Sequence, residues 1–83
     1  MATTKEYDIQ GIRGAEIFRA LPPGVQLAMS DGAVAEIVAN AGDGAWVITT
    51  ILEDPNNPDR VGTEEAVFFG DVLSATGPSE EDD

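Results

Sequence analysis

The chain contains no histidine and no cysteine, and only four basic residues in 83. Histidine is the usual general base and the commonest transition-metal ligand, so its absence removes Ser–His and Cys–His catalytic pairs and imidazole metal sites together. Without cysteine there is no disulfide framework and no thiolate metal site. The one lysine, Lys5, lies near the start of the chain, and the serines are Ser30, Ser74 and Ser79. Carboxylates are the groups left for acid–base work, and a paired-carboxylate glycosidase site needs a sugar-binding cleft that a chain this short does not offer. Gly-x-Gly-x-x-Gly and Gly-Lys-Ser/Thr patterns are also missing, so the glycines read as turn residues, not phosphate cradles. The chain therefore reads as non-catalytic, with no cofactor and no metal.

The shortage of basic residues excludes a class of partner. Nucleic acids are bound by exchanging counterions for Lys and Arg, and Lys5, Arg13, Arg19 and Arg60 are scattered among 16 acids. The formal net charge of -12 disfavours nucleic acid and anionic membrane surfaces alike. No apolar run approaches the roughly 20 residues that span a bilayer. The N-terminus has no basic region followed by an apolar stretch, which argues against a secretory signal. A cytoplasmic protein of bacterial type is the resulting expectation.

What is present is acid, and it is unevenly placed. Residues 1–40 carry a net charge of -2 and residues 41–83 a net charge of -10. Four of the acids, Glu80-Glu81-Asp82-Asp83, end the chain after the breaker pair Gly77-Pro78, so residues 77–83 read as a disordered acidic tail. Residues 1–8 are polar without a clear period and read as a flexible N-terminus. The folded part is expected over 9–76 as a single β-rich domain.

Within it, residues 13–21 are expected to form one short helix. Ile17, Phe18 and Leu21 share its apolar face, Glu16 and Arg19 point to water, and Pro22-Pro23-Gly24 ends it. Val25 to Met29 alternates with the period of a half-buried strand. Ser30-Asp31-Gly32 leads into a second strand, Ala33 to Asn40. A three-residue loop with Gly32 in the left-handed region sets Met29 opposite Ala33, Leu27 opposite Ala35 and Val25 opposite Ile37. A two-residue turn would set Leu27 against Glu36. Ala45 to Glu53 is a third strand rich in β-branched residues. Trp46, Ile48, Thr50 and Leu52 share one of its faces; Val47, Thr49 and Ile51 share the other. A loop follows from Asp54 to Arg60. Glu65 to Phe69 reads as a fourth strand, with a helix over 64–74 capped by Thr63 as its rival, and Val72-Leu73 as a short closing element.

Several short strands joined by Gly-rich turns imply a mainly β fold, either a small antiparallel sheet or a barrel of 4–5 strands with one short N-terminal helix. The segments Gly32-Ala33-Val34-Ala35-Glu36-Ile37-Val38, Gly44-Ala45-Trp46-Val47 and Asp71-Val72-Leu73 resemble those of SH3-like small barrels: a Gly-led strand, a Gly-bounded aromatic strand and a closing strand. The resemblance covers about half of the chain. It implies a fold and no site residue.

Three functional readings follow. The first is an interaction or accessory protein whose acidic surface meets a protein partner with a basic surface, through Glu53, Asp54, Asp59, Glu64 and Glu65. The second is a calcium-binding loop starting at Asp54, in which Asn56 stands at position three and Glu65 at position twelve. Pro58 and Asp59 break that pattern at positions five and six. The third is a self-associating protein, a possible homo-oligomer with an aromatic residue at the interface. Trp46, the single tryptophan, is expected to anchor the core; its functional alternative is a partner-binding hot spot. Phe68 and Phe69 are consecutive, so on a strand one is buried while the other is exposed or at an interface.

Overall fold

The structure, a computed structural model, describes residues 4–78. The chain runs β1 (Thr4–Tyr7), α1 (Gly14–Phe18), β2 (Gln26–Met29), β3 (Val34–Asn40), β4 (Trp46–Glu53), β5 (Glu64–Phe68) and β6 (Val72–Pro78). Short 3-10 turns at Pro58–Arg60 and Phe69–Asp71 flank β5. All six strands form one antiparallel sheet in the order β1-β6-β2-β3-β4-β5. The sheet is open, with β1 and β5 at its edges. The expectation of four to five strands is corrected to six, and the sheet is not a closed barrel.

The central hairpin follows the alternation of its side chains. Leu27 pairs with Ala35, the Met29 amide donates to the Ala33 carbonyl at 2.8 Å, and the Ile37 amide donates to the Val25 carbonyl at 2.9 Å. This is the register expected from a bulged three-residue loop. Gly32 sits there at φ 94°, in the left-handed region where a Cβ is costly. One face of the sheet gathers Leu27, Ala35, Ile37, Val47, Ile51, Val67 and Ala75, all buried. Thr49 is buried among them, and its hydroxyl donates to the Glu65 carbonyl at 2.9 Å.

The segment between β1 and β2 covers this face with Ile9, Phe18 and Leu21. Helix α1 is a little over one turn, shorter than the expected 13–21, yet it keeps the expected sides: Phe18 inward, Glu16 and Arg19 outward. Gly14 lies against the Ile9 carbonyl so closely that a Cβ has no room. The glycine that weakens the helix by propensity is what lets it approach the chain before it. Beyond the helix, the Asn40 side-chain amide on β3 donates to the carbonyls of Phe18 and Leu21, each at 3.0 Å. The Phe18 carbonyl also accepts from the Leu21 amide at 3.2 Å, and the two bonds from Asn40 pin this end of the lid to the sheet.

Two regions depart from the expectations. Residues 4–7 form an edge strand, Lys5 pairing with Gly77 and Tyr7 with Ala75, instead of a flexible N-terminus. The closing element extends from Val72 to Pro78 and lies between β1 and β2, so Gly77 and Pro78 belong to the sheet and not to a tail. The expected disorder of the acids that follow lies outside the described residues. Residues 64–68 are a strand, which removes the rival helix over 64–74.

Candidate functional site

The acidic residues singled out in the sequence divide into two groups. Asp54 and Glu65 converge on Arg60. The Arg60 Nε donates to both Glu65 oxygens at 3.0 and 2.9 Å, and its Nη2 donates to Oε1 at 2.8 Å. Its Nη1 donates to Asp54 Oδ2 at 2.9 Å and reaches Asp31 Oδ2 at 3.4 Å. Asp54 is 6% exposed, and its second oxygen accepts from the amides of Asn56 and Asn57 at 3.1 and 3.0 Å. The same carboxylate thus folds the loop and grips the arginine. Hydrogen bonding to Arg60 holds both Asp54 and Glu65 below the usual carboxylate range, and the two carboxylates push the guanidinium up in turn. The Asn56 side chain adds a bond to the Asp31 carbonyl at 3.1 Å, tying this loop to the β2–β3 turn.

In the proposed calcium loop, the cation between the first and last carboxylates is therefore the guanidinium of Arg60. Among the described residues, no group of three or more acids is arranged to hold a metal ion. Glu53, Asp59 and Glu64 form the second group and lie exposed, at the end of β4, in the 3-10 turn and at the start of β5.

Trp46 is not in the core. It is 48% exposed, on the face of β4 turned away from Val47, Thr49 and Ile51. Phe68, 41% exposed, stands opposite it on β5, with ring centroids 5.1 Å apart and the planes inclined by 49°. The next pair along the same face is Ile48 and Ala66, and on the other side Ile48 meets Ala39. The β3–β4 register shifts between Ile37 and Ala39, and Val38 at that shift is also exposed. Phe69 turns the other way and packs at 4.9 Å on Phe18, which bears out the opposed orientation of the two phenylalanines.

Charge borders this apolar face. The following row is Glu36, Thr50 and Glu64, aligned across β3, β4 and β5. At the opposite end, Asp43 Oδ1 accepts from the amides of Ala45 and Trp46 at 2.8 and 3.1 Å. Those backbone bonds, Ala45 first, hold the Asp43 carboxyl below its ordinary value, and they fix the turn that delivers Trp46 to its strand.

A groove of about 320 Å³ adjoins the patch. It brings Ala66, Val67 and Phe68 of β5 together with Trp46, Met29 and Asp31, and Asp71 also lines it. The Ser30 amide donates to the Asp71 carbonyl at 2.9 Å and so fixes part of the lining. Sequence reasoning missed this groove, because its residues come from strands β2, β4 and β5 and from the turns between strands.

No family model, curated protein or solved structure matches this chain. The functional reading consequently rests on the site. No helix among the described residues is long and apolar enough to cross a membrane.

Proposed function

We propose that this is a non-catalytic accessory protein that docks a protein partner with a basic surface on the outer face of β4 and β5. One observation carries the reading: the exposed Trp46–Phe68 pair, on a face bordered by carboxylates. A large aromatic left in water on a flat strand face gives up burial free energy that a partner would recover. Tryptophan is also the residue most often found at the energetic centre of protein interfaces. Glu36, Glu64 and Asp43 select a basic partner at close range. Glu53 and Asp59 add to the field that steers it. Asp54 and Glu65 serve the site by holding the loop through Arg60.

An SH3-like arrangement is the fold reading that goes with this proposal. It is supported by β6, which follows the Phe69–Asp71 turn and pairs with β2 to end the β2-β3-β4-β5 series, with β1 added outside it.

The test is a fluorescence titration of the single tryptophan with a synthetic peptide of alternating arginine and valine at low salt. The expected result is a blue shift of Trp46 emission that added salt reverses. An emission spectrum unchanged at millimolar peptide would refute the docking reading.

A further inference from the structure

Strand β5 has β4 on one side and, among the described residues, no strand on the other. In an antiparallel ladder the backbone groups of alternate residues point to opposite sides. Two bonds set the phase here: the Phe69 amide donates to the Ala45 carbonyl at 2.7 Å, and the Ile51 amide donates to the Thr63 carbonyl at 2.9 Å. Residues 65, 67 and 69 accordingly face β4. The amide and carbonyl groups of Glu64, Ala66 and Phe68 face outward, and none of them has a backbone partner beyond that ladder among the described residues. The groove described above is lined by Ala66, Val67 and Phe68, so it runs beside this unpaired edge.

We infer that the partner is bound as an added strand along the free edge of β5. This rests on the docking reading above and gives it a geometry. The occupant is an extended segment of another protein that alternates apolar and basic residues. Its backbone completes the bonds of Ala66 and Phe68. Apolar side chains on its outer face extend the Trp46–Phe68 row, and basic side chains on its other face meet Asp31 and Asp71 where the groove passes Met29 and Val67. Charge complementarity selects this occupant. Asp31 and Asp71 line the groove, while its one cation, Arg60, is already engaged by Asp54 and Glu65. A second copy of this chain is disfavoured by the net charge of -12 that each copy carries. Strand addition of this kind takes its affinity from main-chain hydrogen bonds and its specificity from alternate side chains.

The experiment uses the alternating arginine–valine peptide and two analogues N-methylated at its even or its odd residues. Methylation breaks a bond to β5 only at residues whose amide faces β5. One analogue should bind about two- to tenfold more weakly per hydrogen bond lost, and the other as well as the parent. The Ala66→Pro variant removes the outward amide of an edge strand, where proline is tolerated. It should weaken the parent peptide by a similar factor while leaving the melting temperature nearly unchanged. If that variant fails to fold, the two analogues still decide the matter. If the peptide shifts Trp46 emission but both analogues bind like the parent, strand addition is overturned and the docking reading stands. If the peptide leaves Trp46 emission unchanged, both fall. Sedimentation showing a dimer, with the Ala66 and Phe68 amides protected in the absence of peptide, would assign the edge to a second copy and overturn the inference.

Discussion

Trp46 and Phe68 face each other across β4 and β5 on the side of the sheet that the lid leaves bare. Their contact is a cross-strand aromatic pair, and such pairs contribute about 0.5–1.5 kcal/mol beyond burial. That is a small share of the stability of a domain, commonly about 5–15 kcal/mol. The pair holds β5 to the sheet and at the same time keeps two rings in water.

Stability and binding should therefore separate at this pair. Trp46→Ala and Phe68→Ala are each expected to lower stability by about 1 kcal/mol. Each should weaken binding of the arginine–valine peptide more than tenfold, as loss of an interface anchor does. Denaturant melts and amide chemical-shift titrations measure the two effects independently. Affinity in both variants unchanged from the native protein would show that the rings are not the anchor.

Arg60 should behave in the opposite manner. Arg60→Met removes the cation that joins Asp54, Glu65 and Asp31, leaving like charges together. The expected result is a marked fall in melting temperature. Adding Asp54→Asn should cost less in the Arg60→Met background than in the native protein, because the two residues act as one unit. A double-mutant cycle read by thermal melts checks this, and simple additivity would contradict it.

Stability should peak at mildly acidic pH. Asp43, Asp54 and Glu65 titrate below their ordinary values in the folded protein. Each then contributes stability that is present above the unfolded carboxylate range of about 4 and lost as pH falls through the lowered folded value. Repulsion within a chain of net charge -12 works against this at neutral pH and weakens toward the isoelectric point near 4.1. The melting temperature is expected to rise from pH 7 to about pH 5 and to fall below about pH 4. Arg60→Met should flatten the acid limb by the share that Arg60 gives Asp54 and Glu65, and keep that of Asp43 and of the Asn56 and Asn57 amides on Asp54.

The lid depends on one ring and one amide. Phe18 is fully buried and packs on Phe69, so Phe18→Ala is expected to cost about 3–5 kcal/mol. Asn40→Ala removes two bonds and leaves the Leu21 carbonyl without its side-chain donor, while Phe18 keeps the Leu21 amide; it is expected to cost about 1–3 kcal/mol. Chemical denaturation measures both, and hydrogen exchange at residues 14–21 should report the loosened lid.

Much of the fold was legible where side chains alternate. Val25 to Met29 and Ala33 to Ile37 announce one buried face each, and Gly32 fixes their register. β1 was not legible, since Thr4-Lys5-Glu6-Tyr7 has no apolar face and is held as an edge by its backbone ladder with β6. The expected closing element is shorter than β6 because Ser74, Thr76 and Gly77 are small and the register with β2 slips between Ala28 and Met29. The expectation of a buried Trp46 fails for a different reason. Both faces of β4 carry apolar residues, so periodicity groups Trp46 with Ile48 without saying which face is inward. The burial of Thr49 decides it. In the acidic region, the composition shows one arginine among many carboxylates, and composition does not choose its partners. The loop does, by bringing Asp54 and Glu65 to the same guanidinium.

The position of β6 between β1 and β2 has a consequence for assembly in time. Every other strand precedes β6 along the chain, yet it is β6 that joins β1 to the rest. Until it arrives, β1 has nothing to pair with and β2 presents a bare edge. The β2–β3–β4–β5 meander can form from neighbours in sequence, whereas the Gln26–Thr76 and Lys5–Gly77 pairings must close loops spanning much of the chain. Such distant pairings slow folding. A nascent chain emerging from the ribosome would hold its meander early and its N-terminal strand unmatched, waiting for residues 72–78 to thread the gap.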